Sequence, residues 1–275
     1  MTTNFKTIWP IIEKVFVVLL LVVLAVLVYG FLFGPLFPYS PVKFGFSTLE
    51  LKRGTVFYPK ETALARDYFG LDSLISEAEA FYQFRFKKKV KVIVCATKGQ
   101  YKRFSTRSAH ACAIQTGTAI YINPSIKNTG RDLTGFLKHE LSHAILYQNT
   151  SLFKAFKLKS WLTEGLAIYY GNPHHYYRGD KFRKLAIDEG YFFNLLDDKA
   201  EPENIPGDIK YLFIYGEYRA FMEYLIKTYG LESVLKYTAE YIKAPKKKLF
   251  KTLLGISLDE AFAQFHEAII DGRAS

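Results

Sequence analysis

The chain has 275 residues, 49% of them apolar and 17% aromatic, with a formal net charge of +11. That apolar content supports a sizeable packed core and excludes an intrinsically disordered chain. Two cysteines are too few for a disulfide framework, and no nucleic-acid-binding motif accompanies the basic charge.

Lysines are spread along the chain, with short clusters at Lys87, Lys88, Lys89 and Lys91 and at Lys246, Lys247, Lys248 and Lys251. A solvated basic surface is the first expectation, and attraction to an anionic membrane surface is the second. Nucleic acid is not an expected partner.

Residues 15–33 form a 19-residue run without a charge. As a helix this run covers about 28 Å, close to the hydrocarbon thickness of a bilayer. A signal peptide has a shorter apolar stretch and ends at small residues. Here the run ends in Gly34-Pro35-Leu36-Phe37-Pro38-Tyr39. The expectation is a short N-terminal segment at 1–14, a single transmembrane anchor at 15–33 and a stiff linker at 34–42. Lys6 and Lys14 lie closer to the span than Lys43, Lys52 and Arg53. The positive-inside rule then puts the N-terminus in the cytoplasm and the main domain on the extracytoplasmic side.

Residues 43–58 read as extended, with Phe44 and Phe46, then Leu49 and Leu51, alternating. Residues 61–84 carry a helical period broken near Gly70-Leu71-Asp72, and 73–84 place Leu74, Ala78, Phe81 and Tyr82 on one face. Residues 90–95 are a strand by β-branched content, and 98–104 a short helix. Residues 111–122 read as strand, turn at Thr116-Gly117, and strand, ending at Asn123-Pro124. Cys95 and Cys112 fall in these strands. They pair if the strands are neighbours in an oxidising compartment, and are otherwise buried thiols. Helices follow at 132–147 and 161–170, then at 213–229, 231–242, 246–253 and 258–270, with Gly230 and Gly255 as stops. Mixed strands and helices followed by helices alone define an α+β lobe at 43–148 and an α-helical lobe at 149–275.

The chemistry concentrates at Lys138-His139-Glu140-Leu141-Ser142-His143, an H-E-x-x-H sequence. On a helix, positions i and i+4 share a face, so both imidazoles can converge on one zinc ion. Glu140 then reaches a water on that metal as general base. The flanking Leu133, Phe136, Leu137, Ala144 and Ile145 suit a buried helix. A catalytic zinc takes three protein ligands and leaves one position open. The metzincin extension would need Gly at 146 and His at 149, but Leu146 and Asn149 stand there. A glutamate on a following helix is the other option. Glu164, in Trp161-Leu162-Thr163-Glu164-Gly165-Leu166-Ala167, would be costly to bury without a partner.

H-E-x-x-H followed by W-L-x-E-G-x-A resembles the gluzincin metallopeptidases, the thermolysin-like and aminopeptidase-like group. The resemblance implies a zincin-like catalytic lobe. It implies one zinc ion on His139, His143 and Glu164, with Glu140 as general base and a peptide or protein as substrate. The segment from Tyr215 to Leu225 resembles the helix that carries an oxyanion-stabilising tyrosine in the aminopeptidase-like branch. Matching Tyr224-Leu225 to its aromatic-leucine pair puts that role on Tyr215, with Tyr218 and Tyr211 as alternatives. No G-x-M-E-N-like segment precedes the H-E-x-x-H helix. In that branch the segment holds the substrate's free amine, so an endopeptidase is expected over an aminopeptidase. Residues 117–123 take its place and are expected to form the sheet edge that an extended peptide joins.

The alternatives are a membrane-tethered binding or scaffold protein that keeps a zinc site without turnover, and a zinc hydrolase of a non-peptide bond. His110, His174, His175 and His266 are read as surface or packing residues that could also line the cleft.

Overall fold

The computed structural model describes residues 5–107, 109–128, 132–171, 179–197 and 204–272. His174 and His175 lie outside the described residues. The first element, α1 (Phe5–Phe33), is longer than the expected anchor because the helix continues through Pro10 to Phe5. Residues 9–33 of α1 are long and apolar enough to cross a membrane, and none of this stretch is buried in the protein.

Residues 34–42, expected as a linker, pack onto the domain. Phe37 is buried and stacks on Phe104 with ring centroids 4.4 Å apart. Lys43 Nζ donates to the carbonyls of Phe37 and Ser40, both at 2.5 Å, and Lys91 Nζ donates to that of Pro38 at 2.7 Å. Tyr39 Oη lies 2.8 Å from Thr116 Oγ1. The exit from α1 is therefore fastened to the sheet.

The extended stretch splits into β1 (Phe46–Glu50) and β2 (Gly54–Pro59), paired antiparallel. Then come α2 (Leu71–Tyr82), β3 (Val90–Val94), α3 (Lys98–Ser105), β4 (Ala111–Ala113) and β5 (Ala119–Ile122). The sheet order is β1-β2-β3-β5-β4, with β2, β3 and β5 parallel and both outer pairs antiparallel. This corrects one expectation: the 117–123 strand is not the edge. All four β5 residues are fully buried, an apolar run suited to an interior strand, and short β4 takes the edge beside it.

One face of the sheet carries α2 and the H-E-x-x-H helix, α4 (Leu133–Gln148), around Val56, Val92, Ile120 and Leu137. The other is covered by α3 and the 37–46 stretch, around Ile93, Tyr101, Phe104 and Tyr121. Beyond α4 the described chain is helical. The elements are α5 (Leu152–Ala155), α6 (Ser160–Gly171), α7 (Gly179–Ile187), α8 (Gly207–Tyr229), α9 (Leu231–Lys243), α10 (Lys248–Leu254) and α11 (Leu258–Ile270). They share a core of Trp161, Phe182, Phe213, Phe221, Phe250 and Phe265. Short α5 and α7 were not among the expected helices, and α8 begins before the expected 213.

Glu79 ties α2 to both flanking segments. Its side chain is 2% exposed and accepts from Arg53, from Arg85 at 2.6 Å and from the Phe86 N–H at 2.8 Å. Burial alone raises this carboxyl, but the Phe86 N–H, Arg85 and Arg53 outweigh it and hold it below the ordinary 4.5. A lowered folded-state pKa stabilises above the unfolded value, and that contribution is lost as pH falls through the folded one. Wild type is therefore expected to exceed Glu79→Gln in stability at about pH 6, with the gap closing toward about pH 3. Denaturant midpoints of both proteins across that range check it, and a gap independent of pH would contradict it.

Candidate metal centre

The H-E-x-x-H segment is helical because its start is capped and its faces are buried. Asp132 accepts from the N–H groups of Thr134 and Gly135, both at 3.0 Å, satisfying two donors of the first turn. Leu137, Leu141 and Ala144 meet the sheet side, while Ile145 and Leu146 join the helical core. On the α2 side Ser142 Oγ hydrogen-bonds Tyr82 Oη, so the helix is pinned in rotation.

That rotation directs His139, Glu140 and His143 into one cleft. His139, Glu140 and His143 are 7%, 5% and 6% exposed. The Nε2 atoms of His139 and His143 lie 3.1 Å apart, with the rings near perpendicular at 77°.

Glu164 reaches them from α6, where two glycines permit a close helix approach. A Cβ on Gly171 would stand 2.9 Å from the Gly135 carbonyl of α4 and 3.0 Å from the His139 nitrogen. A Cβ on Gly165 would stand 2.9 Å from the Tyr218 carbonyl of α8. Side chains at either position would push the helices apart. With glycine there, Glu164 Oε2 comes to 3.3 Å from His139 Nε2 and 3.4 Å from His143 Nε2.

These separations can be tested against a metal. Three ligand atoms about 2.0–2.1 Å from a tetrahedral zinc sit about 3.3–3.4 Å from one another. The observed 3.1, 3.3 and 3.4 Å match that spacing. Among the described residues the groups nearest Glu164 Oε2 are these two imidazole nitrogens. Two imidazoles and a carboxylate at this spacing fit a cation, and His139, His143 and Glu164 form a group able to hold one.

The same proximity couples the charges of these groups. Burial alone would raise the Glu164 carboxyl, but the charge and hydrogen bonds of His143 and His139 hold it well below the carboxylate range. Burial would lower His143, and Glu164 more than reverses this, so the imidazole is raised. Burial raises the Glu140 carboxyl, partly offset by the two histidines and by the N–H of Ala113. That N–H donates to Glu140 Oε2 at 2.6 Å, tying Glu140 to edge strand β4.

The cleft holds about 190 Å³, with Ala111 and Ala113 of β4 on one side and Tyr211 and Tyr215 of α8 on another. Among the tyrosines named from sequence, Tyr215 and Tyr211 line it with ring centroids 4.2 Å apart. Tyr218 instead belongs to the helical core. Tyr147 was missed. It lines the cleft, stacks on His143 at 6.0 Å, and has its phenol raised by burial and by Glu164 and Glu140. Its sequence signal was available, because it continues the i, i+4 series of 139 and 143. Arg107 and Cys112 also line the cleft without having been foreseen there. Cys112 and Cys95 are free thiols, and burial followed by the Glu140 charge pushes Cys112 up to about 11.

At Gln115 and Tyr147 the cleft meets a second groove of about 210 Å³ that also carries Lys88, Thr116, Gln148 and Leu152. Of the other histidines, His110 Nδ1 lies 3.2 Å from Ser125 Oγ and the ring packs on Phe136. His266 sits between Phe192 and Phe262, with Nε2 3.9 Å from a carboxylate oxygen of fully buried Glu217.

No known family profile matches the chain, and no curated protein matches it. Among solved structures it is similar to an M1 zinc metallopeptidase mutant from Deinococcus radiodurans bound to a Tyr-Ser-Ala substrate. The TM-score is 0.43 at 16% identity, covering 82% of this chain and 51% of that one, so this chain spans about half its length.

Proposed function

We propose that this chain is a membrane-anchored, zinc-dependent peptidase that cuts internal peptide bonds. The carrying observation is the convergence of His139 Nε2, His143 Nε2 and Glu164 Oε2 within 3.4 Å of each other in a cleft that also holds Glu140. In this reading those three side chains hold one zinc ion. When bound, zinc supplies a Lewis acid that makes water a nucleophile at neutral pH and polarises a carbonyl.

The protein's own groups do the rest. Glu140, seated next in the helix, accepts the proton of the attacking water and passes it to the leaving amine. The Ala113 N–H orients the Glu140 carboxylate by holding Oε2. Tyr215 donates a hydrogen bond to the oxyanion that develops on the scissile carbonyl. Apart from the Ala113 N–H that Glu140 takes, edge strand β4 offers its outer backbone to an extended substrate. The continuation of the cleft past Gln115 and Tyr147 leaves room for chain on that side of the cut, as an endopeptidase requires. The anchor is α1, and the charges flanking it favour an extracytoplasmic domain.

The test is digestion of a mixed peptide library by the full chain in detergent, with and without a chelator. The expected result is cleavage at internal bonds, abolished by chelation and restored by zinc. Cleavage that survives chelation, or none with zinc bound, rejects the proposal.

A further inference from the structure

Among the described residues outside α1, a five-residue stretch over α5 concentrates exposed apolar side chains. Phe153 is 83% exposed, Phe156 67% and Leu152 47%. Single exposed apolar residues are ordinary on a protein surface, but three in five residues mark a contact. The backbone here is firmly held. Ala155 is buried, Thr150 Oγ1 donates to the Ile242 carbonyl at 2.6 Å, and Lys154 Nζ donates to the Lys243 carbonyl at 2.5 Å. The exposed rings therefore belong to an ordered surface.

Within the stretch itself the charge has one sign, while Glu240 and Asp259 nearby are paired with Lys243 and Lys247. Lys154, Lys157 and Lys159 interleave the apolar residues, and no acidic residue occurs from 149 to 163. Lys87 and Lys88 share the groove that Leu152 lines. Next to Lys157 and Lys159 the surface dips into a cavity of about 360 Å³, which Tyr237, Lys247 and Asp259 also line. Buried Trp161 lines it too, and its Nε1 has no hydrogen-bond partner among the described residues. Lysines surrounding exposed aromatic side chains match the boundary between anionic headgroups and acyl chains.

Position completes the argument. The exit from α1 and α5 lie at the same end of the sheet. Tyr39 bonds Thr116, in the turn that leads into β5. The C-terminal end of α4 is tied to that turn, because Gln148 Nε2 donates to the Gly117 carbonyl at 2.8 Å. Gln148 also accepts from the Lys88 N–H at 2.8 Å. The α5 helix follows four residues after Gln148, and Leu152 shares a groove with Thr116.

We propose that the α5 face is a second membrane contact, which seats the domain on anionic phospholipids of the bilayer that holds α1. This depends on α1 lying in a bilayer and is independent of the peptidase reading. Two attachments, one spanning and one lying on the surface, fix how the domain is oriented over the membrane.

The test uses the full chain in nanodiscs of phosphatidylcholine with or without phosphatidylglycerol. In a Cys112→Ser background, an environment-sensitive fluorophore is placed at Phe153→Cys. It is compared with Glu232→Cys, at the end of α9 away from Lys243, and with Val22→Cys within α1. The expected result is quenching by nitroxide lipids at 153 and 22 but not at 232, stronger with phosphatidylglycerol. Lys87→Glu with Lys157→Glu is expected to lower the docked population at 153 about tenfold or more.

Quenching at 153 no greater than at 232 overturns the seat. A probe at 153 that is shielded from water but not quenched by lipid means a protein covers this face, and also overturns it. Equal quenching with and without phosphatidylglycerol overturns the headgroup assignment. A probe at 22 outside the bilayer removes the premise and the proposal together.

Discussion

Glu140→Gln is expected to leave the bound metal in place and to lower peptide hydrolysis by about 10²–10⁴-fold, the range for removing a general base. The amide has nearly the shape of the carboxylate, and its oxygen can still accept the Ala113 N–H that holds Oε2 at 2.6 Å. Helix α4 is buried on nearly every side, so an isosteric change is needed to separate lost chemistry from lost folding. Metal content by elemental analysis and kcat on a validated peptide make the comparison. A variant with stoichiometric metal and wild-type kcat would remove Glu140 from the reaction.

Removing one of the proposed ligands should do the opposite and abolish the metal first. Loss of groups that merely support metal ligands costs about 10–100-fold in affinity, so loss of a ligand itself should cost more than about 100-fold. Glu164→Gln is the cleaner variant, because it keeps volume in a cleft where truncation leaves two histidines facing a void. His143→Ala is the companion. Metal that binds only the folded state stabilises it by about 2.7 kcal/mol at a hundred times Kd. Zinc should therefore raise the melting temperature of the wild type and leave both variants unmoved. If Glu164→Gln bound stoichiometric zinc with unchanged affinity, the third ligand would lie elsewhere.

Much of the site was legible because its spacing is local. His139 and His143 stand one helical turn apart, and the i, i+4 relation is a property of any helix. Glu164 stood out as a charge in an apolar segment, a cost that implies a partner. Its approach to the histidines was not legible. It follows from the contacts that Gly165 and Gly171 allow between α6, α8 and α4, which join residues remote in sequence. Tyr147 had the spacing but no chemical mark, since tyrosines are frequent in this chain.

The outer parts of the fold show the same division. Run length and β-branched content located the strands, but not their neighbours. The apolar 117–123 segment looked like a substrate edge and is interior, because sheet order depends on pairing across the chain. The 34–42 segment looked like a spacer. Phe37 fills the back of the sheet, where β1 and α3 bring Phe46 and Phe104 against it.

By itself, then, the sequence determined the apolar helix, the α+β-then-α order and the pair of histidines with Glu140 between them, all set by short-range periodicity. The tertiary structure decided which strand is the edge, which tyrosines face the cleft, and that Glu164 Oε2 comes within 3.4 Å of both imidazoles. It also brought the exit from α1 and the exposed α5 face to one end of the domain. Those features arise from packing between distant segments, which no local pattern encodes.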